Sequence, residues 1–372
     1  MCPLALLGTL CQAGRWPAFF VLMSAGGLQM RHSFFFRVVL LLAALLASVP
    51  ALAQRSTTDE GRPQDDIDAI LSAIVQVRMK ALPNARSRAT LGAEREGSGV
   101  VIDAQGHIVT IGYVVTEAES IEVTTQAGRT VPARLVAFDH ATGLGLLRST
   151  LPLEKVTPMP LGEAASLEAS EPVMALPYGG REAASLAYVM SRRKFTASWE
   201  YLLESALFVS PPTLKWAGAA LVNHEGKLVG IGSLLVSSVL STGDGRQQLP
   251  GNMFVPVDEL KPILSDLIAR GRRAGPARPW LGLGTEEVQG YLMVTNVSRE
   301  GPAEKAGIRR GDILLAIGSD TVNDHEAFYR RLWSMGEAGV EVPLKLLQGG
   351  QVKDLSVRSI DRLQFFQGPV VH

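Results

Sequence analysis

Cysteine is almost absent. The only two, Cys2 and Cys11, lie upstream of an apolar run at 38–49. If the N-terminal segment is removed after that run, the remaining chain has no thiol at all. That excludes a disulfide framework, thiol catalysis and cysteine metal sites. It also excludes a lipid-anchored export form, because no cysteine follows the apolar run. Charge of one sign is missing too: Lys+Arg and Asp+Glu stand at 36 each, so no global field favours nucleic acid or an acidic partner. Long hydrophobic runs are lacking. The 38–49 stretch is about a dozen residues, short of the ~20 that a membrane-spanning helix needs. Aromatics make up 6% of the chain.

What is present is apolar and glycine-rich, with 47% hydrophobic residues and 37 Gly, enough for a large core and two or more domains. Met30-Arg-His-Ser-Phe-Phe-Phe-Arg37 is a basic leader to the apolar run, and Ala51-Leu-Ala53 offers the small residues of a cleavage site before Gln54. Residues 1–53 are expected to be an N-terminal extension and a cleaved signal peptide, with Met30 the initiator. The expected address is the bacterial periplasm, with no stable membrane span after cleavage.

Residues 54–64 are polar and read as a leader. Asp65-Asp66 can cap a short helix carrying Ile67, Ile70 and Leu71, with a strand from Ile74. From Gly97 onward short strands alternate with turns: 97–102, 107–115, 121–124, 130–138, 144–147, 172–176 and 228–232. That spacing implies a barrel or sandwich. Helical periodicity returns at 258–271, and Arg192-Arg-Lys194 reads as a solvated loop, an anion-binding site being the sharper reading. Residues 272–279, rich in Arg and Pro, form a linker. A second small domain at 280–360 has strands at 280–284, 291–297, 313–317 and 342–347 and helices at 302–306 and 324–333. Residues 361–372 are a tail.

Several stretches in this order carry a family pattern: Gly97-Ser-Gly-Val-Val-Ile-Asp103, Gly106-His-Ile-Val-Thr110, Asp139-His-Ala-Thr142, Ala220-Leu-Val-Asn223, Phe254-Val-Pro-Val257, and Gly301-Pro-Ala-Glu-Lys-Ala-Gly307 with Gly311-Asp-Ile-Leu314. Together they resemble the HtrA/Deg family of envelope serine proteases, from about Ile67 to Val357. The resemblance implies a mainly β chain, with a trypsin-like double β-barrel over 65–271 followed by a small α+β PDZ domain.

The family's chemistry needs a serine nucleophile, a histidine base and an aspartate that orients it. Against the family motifs, Thr110-Ile-Gly-Tyr-Val-Val115 puts Tyr113 at the histidine, and Asp139-His-Ala-Thr-Gly143 puts Gly143 at the aspartate. Lys215-Trp-Ala217 puts Ala217 at the serine. A phenol of ordinary pKa ~10 is a poor base at neutral pH. Lys215 and Trp216 replace the Gly-Asn that shapes the oxyanion loop, and Trp216 is expected to pack into the vacated cleft. Substitute residues can be imagined in His107, His140 or a Ser210–Lys215 pair, but none matches a motif position.

Trp280-Leu-Gly-Leu-Gly284 matches the PDZ loop whose amides hold a C-terminal carboxylate, assigning Leu281, Gly282 and Leu283 to that role. Phe328 and Leu332 are expected to line the other wall of the peptide groove. The family's trimers use aromatics near the mature N-terminus. Residues 54–112 have none, so a trimer of that kind is not expected, though another oligomer is open. The leading expectation is a catalytically inactive, protein-binding relative that takes peptides, including C-terminal ones, with no cofactor, metal or nucleic acid. The alternative is an active endopeptidase of envelope quality control using non-standard residues.

Overall fold

The computed structural model describes residues 63–240 and 248–366. The expected signal peptide, the Met30 start, most of the leader and the end of the tail lie outside the described residues. Helix α1 (Pro63–Ser72) opens two residues before the expected cap, with proline at its first position, where a missing N–H costs nothing. Among the described residues no helix is long and apolar enough to cross a membrane.

Twelve strands then close into two barrels. The first holds β1 (Ile74–Ala81), β2 (Glu94–Val101), β3 (His107–Ile111), β4 (Ala118–Thr124), β5 (Thr130–Asp139) and β6 (Leu144–Ser149), in the order β1-β2-β3-β6-β5-β4. The short helix α2 (Arg88–Leu91) joins β1 to β2. The second barrel holds β7 (Pro172–Leu176), β8 (Ser185–Ala197), β9 (Tyr201–Ser210), β10 (Ala220–Val222), β11 (Leu228–Val236) and β12 (Gly251–Pro256), in the order β10-β11-β12-β9-β8-β7. Closure leaves no free sheet edge in either barrel. Val173, Ala187, Leu207, Leu221 and Phe254 fill the second interior.

The long strand expected over 107–115 stops at Ile111. Gly112–Val115 is instead a helical turn, α3, locked by the Thr116 hydroxyl donating to Gly112 O at 2.8 Å. The helix expected over 258–271 is broken. Val257–Glu259 forms a 3₁₀ turn and helix α4 spans only Leu264–Arg270, because Pro262 lies in the intended interior.

Arg192, Arg193 and Lys194 are not a loop; they lie within β8. Arg192 donates to the carbonyls of Ala164, Ala165 and Leu167, and Arg193 covers the Phe208 ring. The β8–β9 hairpin they stiffen closes with Ala197 opposite Tyr201, leaving a three-residue tip of Ser198, Trp199 and Glu200. Glu200 has φ 55°, the left-handed conformation that ends this type of tip and is normally given to glycine.

The C-terminal sheet runs β13 (Leu283–Val288), β14 (Tyr291–Val297), β15 (Ile313–Ile317), β17 (Glu341–Gln348), β18 (Gln351–Arg358), with β16 (Asp320–Thr321) paired to β15. Strand β13 is an edge. Helices α5 (Pro302–Lys305) and α6 (His325–Ser334) flank the sheet, and the side chain of Asp324 caps α6 by accepting from Ala327 N at 2.7 Å. Trp280 does not start the ladder. It makes a single bridge to Ile360, and 281–282 is a loop.

The segment read as a linker is tied down. Arg273 forms a two-armed bond with Asp139, Arg272 pairs with Asp361, and Arg278 stacks over Trp333. A last helix, α7 (Arg362–Phe365), follows, with Phe365 against Trp280.

Candidate functional site

The three positions that the resemblance assigns to catalysis lie along the contact between the two barrels. Gly112 N donates to Gly143 O at 2.7 Å, Ser98 N to Ala217 O at 2.8 Å, and Gly218 N to Gly232 O at 2.9 Å. Tyr113, carried by the α3 turn, crosses to β11 and donates its hydroxyl to Ser233 O at 2.9 Å. Burial holds its pKa well above the ordinary phenol value, and Trp216 faces the same hydroxyl. A proton so held is not available for exchange with a nucleophile.

Ala217 offers only a methyl group. Lys215 and Leu214 beside it are exposed, and the Lys215 amide turns back toward Thr213 Oγ1 at 3.4 Å. Gly143 has φ 79°, and its missing side chain would meet Tyr201 Oη at 3.3 Å. Tyr201, buried and donating to Thr142 O at 2.7 Å, thus covers the place beside Gly143.

The other candidates are otherwise engaged. His107 is buried against Asp103, with Nδ1 2.6 Å from the carboxylate. His140 lies between the Phe138 and Phe366 rings, and burial drives its pKa well below the imidazole range, so it stays neutral. Ser210 donates to Pro250 O at 2.8 Å, while Lys215 is exposed. Among the described residues no cluster of His, Cys, Asp and Glu could hold a metal ion.

The second site is the loop at Leu281, Gly282 and Leu283. Gly282 has φ 81°, and a side chain there would press on Ser298 and Trp280, so the loop requires glycine. Its three amides converge as a nest for an anion. They converge on Glu200. Gly282 N and Leu283 N donate to Glu200 Oε1 at 2.8 and 3.0 Å, and Leu281 N donates to Oε2 at 3.1 Å.

The rest of the hairpin tip follows the same groove. Thr285 N on β13 donates to Ser198 O at 3.0 Å. The Tyr329 hydroxyl on α6 donates to Ala197 O at 2.5 Å and accepts from Glu200 N at 3.2 Å. Leu202 joins the apolar cluster of the C-terminal domain, which includes Leu281, Leu283, Phe328 and Leu332. Burial raises the Glu200 pKa to about 6, outweighing the three amides and the Arg362 charge. Phe328 and Leu332 are fully buried in that cluster; the α6 side chain that bonds the backbone of the hairpin tip is Tyr329, which the sequence reading did not name.

Residues 97–231 match the trypsin-like peptidase domain family, and residues 279–358 match the PDZ domain family. Curated relatives point the same way. Protease Do-like 1, chloroplastic, of Arabidopsis thaliana is 27% identical, covering 70% of this chain and 62% of its own length. Serine protease Do-like HtrA of Lactobacillus helveticus is 26% identical, covering 71% and 68%. A probable periplasmic serine endoprotease DegP-like of Halomonas elongata is 25% identical, covering 70% and 55%. The two domain matches and these relatives together support the HtrA family. The chain spans 62% of the first of these relatives and 55% of the third.

Within that HtrA framework, Glu200 is the residue that sequence reasoning missed. Its only local signal is a carboxylate at the tip of a hairpin. The hairpin itself was hidden, because Arg192-Arg-Lys194 interrupts the apolar alternation of β8.

Proposed function

We propose that this HtrA-type chain is catalytically silent and acts in the bacterial periplasm by binding protein segments, as a scaffold, regulator or accessory subunit, with its PDZ groove as the working surface. The observation that carries the reading is the cleft chemistry: a hydroxyl engaged with Ser233, a bare glycine and a methyl stand at the three positions where the family's mechanism needs a base, an orienting carboxylate and a nucleophile. The Lys215 amide, turned toward its own neighbour Thr213, supports it further. A periplasmic address is supported by the leader pattern and by the printed name of the Halomonas relative.

The test is incubation of the purified chain from Gln54 with unfolded casein, alongside labelling by a fluorophosphonate probe. Neither cleavage nor labelling is expected. Cleavage that the probe abolishes would restore the endopeptidase reading.

A further inference from the structure

The PDZ amide loop already holds a carboxylate, and that carboxylate belongs to the chain itself. Three amides converge on Glu200 with two of them on one oxygen, at 2.8 and 3.0 Å, which is the pattern a chain-terminal carboxylate would make with the same loop. The mimicry extends beyond the charge. An incoming peptide would pair with edge strand β13, and here the Ser198 carbonyl takes the Thr285 amide. It would lie against α6, and here Tyr329 clamps Ala197 O and Glu200 N. Flanking ion pairs reinforce the seat: Lys194 with Glu326, and Arg330 with Glu204 at 2.8 Å.

The backbone bears a strain to make this contact. Glu200 is a non-glycine residue held at φ 55°, a conformation that glycine adopts freely. Such strain persists where surrounding contacts over-determine it, and the bonds of the Glu200 carboxylate are those contacts.

We infer that the β8–β9 hairpin is an internal pseudo-ligand of the PDZ groove, with Glu200 standing in for a C-terminal carboxylate, so that a partner with a free C-terminus must displace the hairpin to bind. The inference rests on the peptide-binding reading above. Opening the groove also frees Tyr201, the next residue, from its place over Gly143, so displacement is transmitted to the barrel cleft. A groove occupied in most molecules lowers apparent affinity by the fraction that is open.

The experiment compares the chain from Gln54 with its Glu200→Gly and Glu200→Gln variants. Glycine suits the tip's φ and removes the carboxylate; glutamine keeps its shape without the charge. Amide hydrogen exchange reads the loop directly. Leu281, Gly282 and Leu283 amides are expected to be protected in the parent chain and to exchange at least ten-fold faster in Glu200→Gly. Equal exchange in both would overturn the internal occupancy.

Anisotropy is then measured with fluorescein-labelled decapeptide pools ending in Val, Leu, Ile or Phe, as free acids and as amides. The free acids are expected to bind Glu200→Gly at least ten-fold more tightly than the parent chain, with Glu200→Gln between them and the amides unbound. Equal affinity of parent and variant would overturn the gate while leaving the peptide-binding reading intact. Loop release in the variant with no pool bound would instead overturn that reading, and the gate with it.

Discussion

The carboxylate of Glu200 accepts the amide proton of Gly282 at 2.8 Å across 82 positions of sequence. One residue of a barrel hairpin thereby completes the anion nest of another domain. Its neighbour Tyr201 closes the space beside Gly143 in the barrel cleft. Two sites that the sequence presents as separate are thus filled from a single turn.

Because burial raises the Glu200 pKa from 4.5 to about 6, the folded chain binds more protons than the unfolded one between those values. The stability this group contributes is therefore fully present below pH 4.5 and is lost as pH rises through 6, a change of about 2 kcal/mol. Arg362 and Tyr329 face Glu200 but keep their protonation across this range, and His325, stacked on Tyr329, is common to parent and variant. Urea unfolding of the parent chain and Glu200→Gln at pH 4.5 and 7 should show the parent's advantage shrinking by about that amount. A gap independent of pH would place the titration elsewhere.

The Tyr329 hydroxyl serves two backbone groups of the hairpin, donating to Ala197 O and accepting from Glu200 N. Tyr329→Phe keeps the ring stacked between His325 and Trp333 but strands both groups in a buried setting. A loss of about 1–3 kcal/mol in thermal or urea unfolding is expected. Faster exchange of the Thr285 amide should accompany it if the hairpin loosens as a unit.

How much of this was legible depends on whether the determinant was local. Alternation wrote β17 into the sequence: Val342, Leu344 and Leu346 face the core and Glu341, Pro343 and Lys345 face out. The turn Asp103-Ala-Gln-Gly106 was equally readable, since Asp103 Oδ1 takes the amides of Gln105 and His107. The end of β3 was not: Gly112, where the helical turn begins, lies against the Phe138 ring of another strand with no room for a side chain, a contact that no local pattern marks. Strand β8 was hidden by the charges of Arg192 and Lys194, whose partners, the 164–167 carbonyls and Glu326, lie far along the chain. At the candidate sites Tyr113, Gly143 and Ala217 were named from local motifs alone. That Glu200 would fill the PDZ loop could not be read that way, because no local pattern encodes a contact between domains.

The same principle applies to the linker. Asp139 is buried and holds Arg273 by two bonds of 2.8 and 2.9 Å while also accepting from Thr142 N and Oγ1. Arg273→Ala leaves an uncompensated buried carboxylate. Since the guanidinium is about a third exposed, a cost of about 2 kcal/mol is expected rather than the full penalty of a buried pair. Faster trypsin cleavage within 272–279 should reveal the released linker, and Asp139→Asn in the same chain should recover part of the loss. No change in either readout would mean that the composition-based picture of a loose linker holds.

Restoring catalysis should fail by stages, and the order of failure is informative. Ala217→Ser alone adds a hydroxyl with no base in reach, since Tyr113 gives its proton to Ser233 O and burial opposes its ionisation. No fluorophosphonate labelling is expected. Adding Tyr113→His and Gly143→Asp supplies the missing groups on paper, yet Asp at φ 79° costs on the order of 1–2 kcal/mol and its Cβ sits 3.3 Å from Tyr201 Oη. That triple variant should be destabilised and still unlabelled. Labelling is expected only when Tyr201→Ala clears the space and Lys215→Gly with Trp216→Asn reopens the amide loop. Labelling of Ala217→Ser by itself would show that a base other than residue 113 serves this cleft, and it would remove the main support for a silent protein.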